Sequence, residues 1–132
     1  MRPGPPRGET ATLEVTVTEA MTARVAGQQI HPVYGTAALV QHIEEVSRKL
    51  LVPHLEPGEE GVGYQIEVTH RAPVPVGATL VLTAEVAQVG AQRLVCEVMV
   101  RQGTRIVARG SFEQRVVTRE EFEAEIAATS TA

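Results

Sequence analysis

The chain has 132 residues, 43% hydrophobic but only 3% aromatic, which suits one domain whose core is valine, leucine, isoleucine and alanine. A formal charge of −4 without any basic block argues against nucleic acid or an anionic membrane as partner. The single cysteine, Cys96, excludes an intrachain disulfide and an all-cysteine metal site, and with no signal peptide or membrane-spanning run the default location is cytoplasmic.

Residues 1–9, with three prolines and two glycines, are expected to form a flexible or loosely docked N-terminal arm. The alternating, β-branched run Thr10–Thr18 predicts a first strand. Between Glu19 and Tyr34 the pattern is ambiguous: Met21–Val25 can extend or pair, and Gly27 to Pro32 reads as loop. From Tyr34 to Leu51 the chain has its only long helical period, with Leu39, Val40, Ile43, Val46, Leu50 and Leu51 on one face. Thr36 is a candidate N-cap or first-turn residue, and Pro53, Pro57 and Gly58 end the helix ahead of an acidic turn.

Beyond residue 61 the period changes to two. Val62, Tyr64, Ile66, Val68 and His70 share one face of a predicted strand, with Gly63 and its alternates on the other. Ala72–Gly77 is a proline-rich connection. Three further strands follow over Ala78–Gln88, Arg93–Gln102 and Arg105–Val117, the first two in phase through Leu80, Leu82, Ala84, Val86 and Leu94, Cys96, Val98, Val100. Thr118-Arg-Glu-Glu121 resembles a capping box opening a short helix to about Ala127, and residues 128–132 are expected to be a flexible tail. The order is strand, long helix, four antiparallel strands and a terminal helix. This is an α+β hot-dog arrangement, one helix wrapped by an antiparallel sheet, in a single domain over residues 10–127. Its exposed sheet edge predicts a homodimer or higher homo-oligomer with the site near the subunit interface.

Three polar residues have the chemistry of a nucleophile–base–orienter set: Thr36 at the helix start, Glu44 on the helix border and His70 at a strand end. The helix start also offers backbone N–H groups around Gly35–Ala37 to a developing oxyanion. His42 lies off the apolar stripe and His31 and His54 fall in loops, so no pair has metal-ligand spacing and no metal is expected. A phosphate-binding loop, a dinucleotide fingerprint and a G-x-S-x-G elbow are all absent.

The runs Pro53-His-Leu-Glu-Pro-Gly-Glu59, Gly61-Val-Gly63, Val68-Thr-His70 and Leu82-Thr-Ala-Glu85 resemble the fluoroacetyl-CoA thioesterase-like branch of the hot-dog superfamily, over roughly residues 30–118. The resemblance implies an acyl-CoA thioesterase with Thr36, Glu44 and His70 as its active set and Gly63 lining the acyl pocket. Ile30, Tyr34 and Gly35, which lead into the helix, join Gly63 as expected substrate-binding residues. No cofactor is implied, since coenzyme A belongs to the substrate. Ile30 stands where the fluoroacetate-specific member has a phenylalanine gate, so the expected substrate is another short or medium acyl thioester. A family arginine corresponds to Gln114, with Arg115 one residue away on the opposite face of the strand.

Two other readings compete. An acyl-thioester hydratase or dehydratase of this superfamily uses an aspartate–histidine pair, and this chain has no aspartate. A non-catalytic protein binding an acyl thioester or a small hydrophobic ligand has no need of hydroxyl, carboxylate and imidazole together.

Overall fold

The computed structural model describes residues 1–130. β1 (Thr10–Thr16) leads through a 3₁₀ turn (Glu19–Met21) into β2 (Thr22–Val25) and β3 (Gln28–Tyr34), and then into α1 (Thr36–Leu51). After a second 3₁₀ turn come β4 (Glu59–His70), β5 (Thr79–Gly90), β6 (Arg93–Gln102), β7 (Arg105–Thr118) and α2 (Arg119–Thr129). Five strands form one antiparallel sheet in the order β1-β5-β6-β7-β4, and β2 and β3 form a separate hairpin. With α1 packed on one face of the sheet, this is the hot-dog fold.

The helix forms where the 3.6-residue period placed it. Leu39, Ile43, Val46, Leu50 and Leu51 are all buried, each contributing roughly 1.5–3 kcal/mol relative to exposure. They meet the inward faces of β5 and β6, where Leu80, Leu82, Ala84, Val86, Leu94, Cys96, Val98 and Val100 are buried as their alternation predicts. Pro53 sits in the turn that ends α1, and Thr118 caps α2 by accepting a 3.2 Å hydrogen bond from the Glu121 N–H. The helix α2 runs to Thr129, two residues past its expected end, and residues 131–132 of the expected tail lie outside the described residues.

The ambiguous stretch before α1 resolves as a hairpin turning at Ala26 and Gly27, both at positive φ (53° and 76°), the geometry of a tight two-residue turn. Pro32 is tolerated within β3 because that strand belongs to a two-stranded sheet and meets the chain on its other side only at Val33 and Tyr34, among the described residues. The first strand ends at Thr16 rather than Thr18. Residues 1–9, expected to form a flexible or loosely docked arm, make specific contacts with the domain. The Met1 side chain is buried and its amine meets Glu59 at 2.6 Å, while the Gly8 N–H donates to Val86 O, prolonging the contact between β1 and β5.

One correction bears on the site. Gly63 pairs with Gln114 and Gln65 with Glu113, so Tyr64 is an extra residue in a β-bulge. The bulge breaks the period-two reading of β4. Ile66, Val68 and His70 face the helix as expected, but Val62 and Tyr64 do not belong to that set. Tyr64 is 61% exposed on the outer surface beneath the Arg115 guanidinium. Gly63, expected on the outer face, instead stands beneath Glu44 of the helix, and Gly61 stands beneath Leu51.

Candidate active site

The start of α1 is set by Gly35. Its N–H donates to Met21 O at 2.8 Å and its carbonyl accepts from the Leu39 N–H at 3.0 Å. A Cβ at this position would lie 2.9 Å from Ala23 Cα, so only glycine lets the hairpin cross the helix start this closely. Because Met21 takes the Gly35 N–H, the free backbone donors at the helix start begin one residue further along. Helix geometry leaves the N–H groups of Thr36, Ala37 and Ala38 without an intrahelical acceptor.

Thr36 is exposed at this end, and its Oγ1 lies 2.9 Å from His70 Nδ1. The two side chains come from the first residue of α1 and the last of β4, thirty-four positions apart in the chain. The other ring nitrogen of His70, Nε2, is buried and has no hydrogen-bond partner among the described residues. Nδ1 is thus the ring nitrogen that meets the Thr36 hydroxyl. Both residues line a hollow of about 240 Å³ together with Tyr34, Gly35, Arg71 and Ala72.

Glu44 lies elsewhere. It lines a second, larger hollow of about 570 Å³ with Gly63, Phe112, Gln114 and Arg48, which continues over the helix to His42, Ala38 and Met21. Its Oε2 is 4.0 Å from where a Cβ on Gly63 would be. Along β4, Gly63 stands opposite Gln114 and His70 opposite Ala108, so the two are ~20 Å apart at ~3.3 Å per residue. Within one chain, then, Thr36 meets His70 and Glu44 is remote from both. Gln114 points inward, buried, and donates to Ser47 O at 3.3 Å, whereas Arg115 points outward and binds Glu113. Ile30 is half exposed on β3 and lines neither hollow.

Sequence reasoning passed over His42, whose Nδ1 lies 2.5 Å from the Tyr34 hydroxyl. The two rings lie side by side with their planes 3° apart and centroids at 5.8 Å, and the Tyr34 ring also meets His70 edge-on at 6.2 Å. Burial drives the Tyr34 phenol strongly upward, so it stays protonated, and desolvation lowers the pKa of His42 against a smaller opposing effect of Glu45. No periodicity links the two residues, because Tyr34 lies outside the helix that carries His42.

The model of the FlK family, fluoroacetyl-CoA-specific thioesterases, matches residues 17–120. The chain belongs to this family. Members are thioester hydrolases, and this protein is an acyl-CoA thioesterase of the hot-dog superfamily. A fluoroacetyl-CoA thioesterase from Streptantibioticus cattleyicolor is 35% identical over 94 residues, 71% of this chain and 68% of the relative. A Thermus thermophilus hypothetical protein, described as a thioesterase superfamily member, superposes with a TM-score of 0.92 at 31% identity, covering 99% of this chain and 96% of that one. For the fluoroacetyl-CoA thioesterase FlK the TM-score is 0.87 at 31% identity, with 96% and 98% coverage. Variants of that enzyme have been solved with acetyl-CoA and with fluoroacetate and coenzyme A.

Proposed function

We propose that the protein hydrolyses a short or medium acyl-CoA as a homodimer, with each site built from Thr36 and His70 of one subunit and Glu44 of the partner subunit. The observation that carries this reading is the split site: a Thr36–His70 pair at one end of β4 and Glu44 beside Gly63 at the other. β4 is a sheet edge of 12 residues whose outer side has no strand partner among the described residues. Glu67, opposite Ser111, stands midway between Gly63 and His70. Antiparallel pairing of β4 with its own copy about Glu67 sets the Gly63 end of one subunit against the His70 end of the other. The bulge at Tyr64 is what lets both ends face the helix side.

In this arrangement the thioester carbonyl lies over the first turn of α1, its oxygen toward the N–H groups of Thr36–Ala38. His70 Nδ1 takes the proton of the attacking oxygen, either the Thr36 hydroxyl or a water that it holds, and returns it to the leaving thiolate as the carbon–sulfur bond breaks. Glu44 of the partner subunit orients the water that completes hydrolysis. Ile30 is an exposed aliphatic residue and excludes water less well than an aromatic gate, which supports an acyl group other than fluoroacetyl. A chain with a single cysteine and a coenzyme A-linked substrate fits the cytoplasm.

The test is subunit mixing under a thiol-release assay over a panel of acyl-CoA substrates. His70→Ala and Glu44→Gln are each expected to lose ~10²–10⁴-fold in rate. Unfolded together in equal amounts and refolded, random pairing makes half the dimers mixed, each with one intact site of two, so about a quarter of wild-type activity returns. A mixture no more active than its components, or a monomer by light scattering, refutes the shared site. Binding of acyl-CoA without any thiol release would favour the non-catalytic reading.

A further inference from the structure

The Tyr34–His42 pair has no part in the hydrolysis just described, yet it joins the two hollows: Tyr34 lines the one with Thr36 and His70, and His42 the one with Glu44. We propose that Tyr34 is a positioning residue that fixes His42 in one tautomer, so that His42 Nε2–H is a hydrogen-bond donor to an oxygen of the bound acyl thioester. This inference rests on the reading of the hollows as a substrate site.

The geometry supplies the direction of the bond. Tyr34 is 1% exposed and its hydroxyl has His42 Nδ1 as its partner. Burial keeps the phenol protonated, and its O–H has no other acceptor among the described residues, so the arrangement that satisfies it has the O–H donate and Nδ1 accept. A neutral imidazole accepting at Nδ1 carries its proton on Nε2. That nitrogen has no partner among the described residues and is not sealed from solvent, in contrast to His70 Nε2. The ring planes are only 3° apart, so the hydroxyl meets Nδ1 close to the imidazole plane, and this bond orients the ring and with it the donor. The hollow that His42 lines is mixed, with Ala20, Met21 and Ala38 apolar and Gln41, Glu45 and Arg48 polar, so His42 is one of several polar groups available to a ligand there. Two phenylalanine- and leucine-sized groups would fill the same space without desolvating a hydroxyl and an imidazole, so packing alone gives no reason for this pair.

An acceptor oxygen reaches this donor from one of two parts of the substrate: the pantetheine arm, through an amide carbonyl, or an oxygenated acyl group. The experiment uses Tyr34→Phe/His42→Leu, which removes both polar groups and leaves no orphan, and His42→Gln, whose amide keeps a donor near Nε2. Steady-state kinetics with acetyl-CoA, butyryl-CoA, 3-hydroxybutyryl-CoA and an acetyl thioester lacking the pantetheine arm are paired with calorimetric binding of a non-hydrolysable thioether analogue of acetyl-CoA. The expected result for the double variant is a KM raised about three- to tenfold with kcat little changed, largely restored in His42→Gln. A rise for every full-length CoA ester but not for the truncated one assigns the oxygen to the arm. A rise confined to 3-hydroxybutyryl-CoA assigns it to the acyl group. Unchanged kinetics in a double variant that melts like the wild type overturns the proposal and leaves the thioesterase reading standing. A wild type that binds the analogue without turnover overturns hydrolysis alone, with the variants then read by affinity. A wild type that neither binds nor hydrolyses any of these overturns both.

Discussion

Adding one methyl group at Gly61 and, separately, at Gly63 tests how the bulge in β4 divides structural from functional glycine. A Cβ on Gly61 would stand 2.4 Å from Leu51 Cδ2, and Leu51 is fully buried at the end of α1. Something must move, and such overpacking costs typically about 1–3 kcal/mol. Alanine in a strand recovers about 0.5–1 kcal/mol of backbone entropy, so the net loss is at most about 2.5 kcal/mol. With unfolding entropy near ~2.1 cal/mol/K per residue, a chain of this length loses up to ~9 °C in Tm. At Gly63 the new Cβ would lie 3.2 Å from Phe112 Cζ and 4.0 Å from Glu44 Oε2, contacts that a shift of a few tenths of an ångström relieves. Here the entropy gain offsets the crowding and Tm stays within ~2 °C of the wild type. The methyl group instead occupies space beside Glu44, and kcat/KM for acyl-CoA falls about tenfold or more, since small misplacements at a reacting centre are costly. Differential scanning calorimetry and thiol-release kinetics on the two variants check both statements. If Gly63→Ala melts lower than Gly61→Ala, or keeps full activity while Gly61→Ala loses it, the assignment of the two glycines is wrong.

Other outcomes follow from the same geometry. The folded-state pKa of His42 is lowered below 6.5, so the unfolded chain binds this proton more readily. The contribution of His42 to stability is therefore full above pH 6.5 and is lost as pH falls below it, and Tm between pH 7 and 5 should drop less steeply in Tyr34→Phe/His42→Leu. Cys96 is fully buried and its thiol is pushed up to about 11 by burial, so a thiol reagent at pH 8 should label it only as fast as the protein unfolds. Rapid labelling of the native protein would contradict its place in the core. Fluoroacetyl-CoA and acetyl-CoA should give kcat/KM values within about tenfold of each other, and a larger preference for the fluorinated ester would mean that another group does the work of the missing gate.

Local pattern alone carried most of the architecture. The helical period from Leu39 to Leu51 and the alternation through Leu80–Val86 and Leu94–Val100 are properties of neighbouring residues, because a helix and a strand each expose a fixed face to whatever covers them. The capping box at Thr118 is equally local. Resemblance of short runs was enough to name the family and to single out Thr36, Glu44, His70 and Gly63. Where the chain departs from strict period, sequence reading failed. An extra residue at Tyr64 leaves no mark in composition, yet it reverses the face of everything before it in β4 and brings Gly63 under Glu44. Pairing with β7 decides where that residue is expelled, and pairing is a tertiary fact. The same holds for the contact of Thr36 with His70, for the separation of Glu44 from both, and for the bond from Tyr34 to His42. Each depends on where the hairpin, the helix and the sheet edge meet in space, which spacing along the chain does not encode.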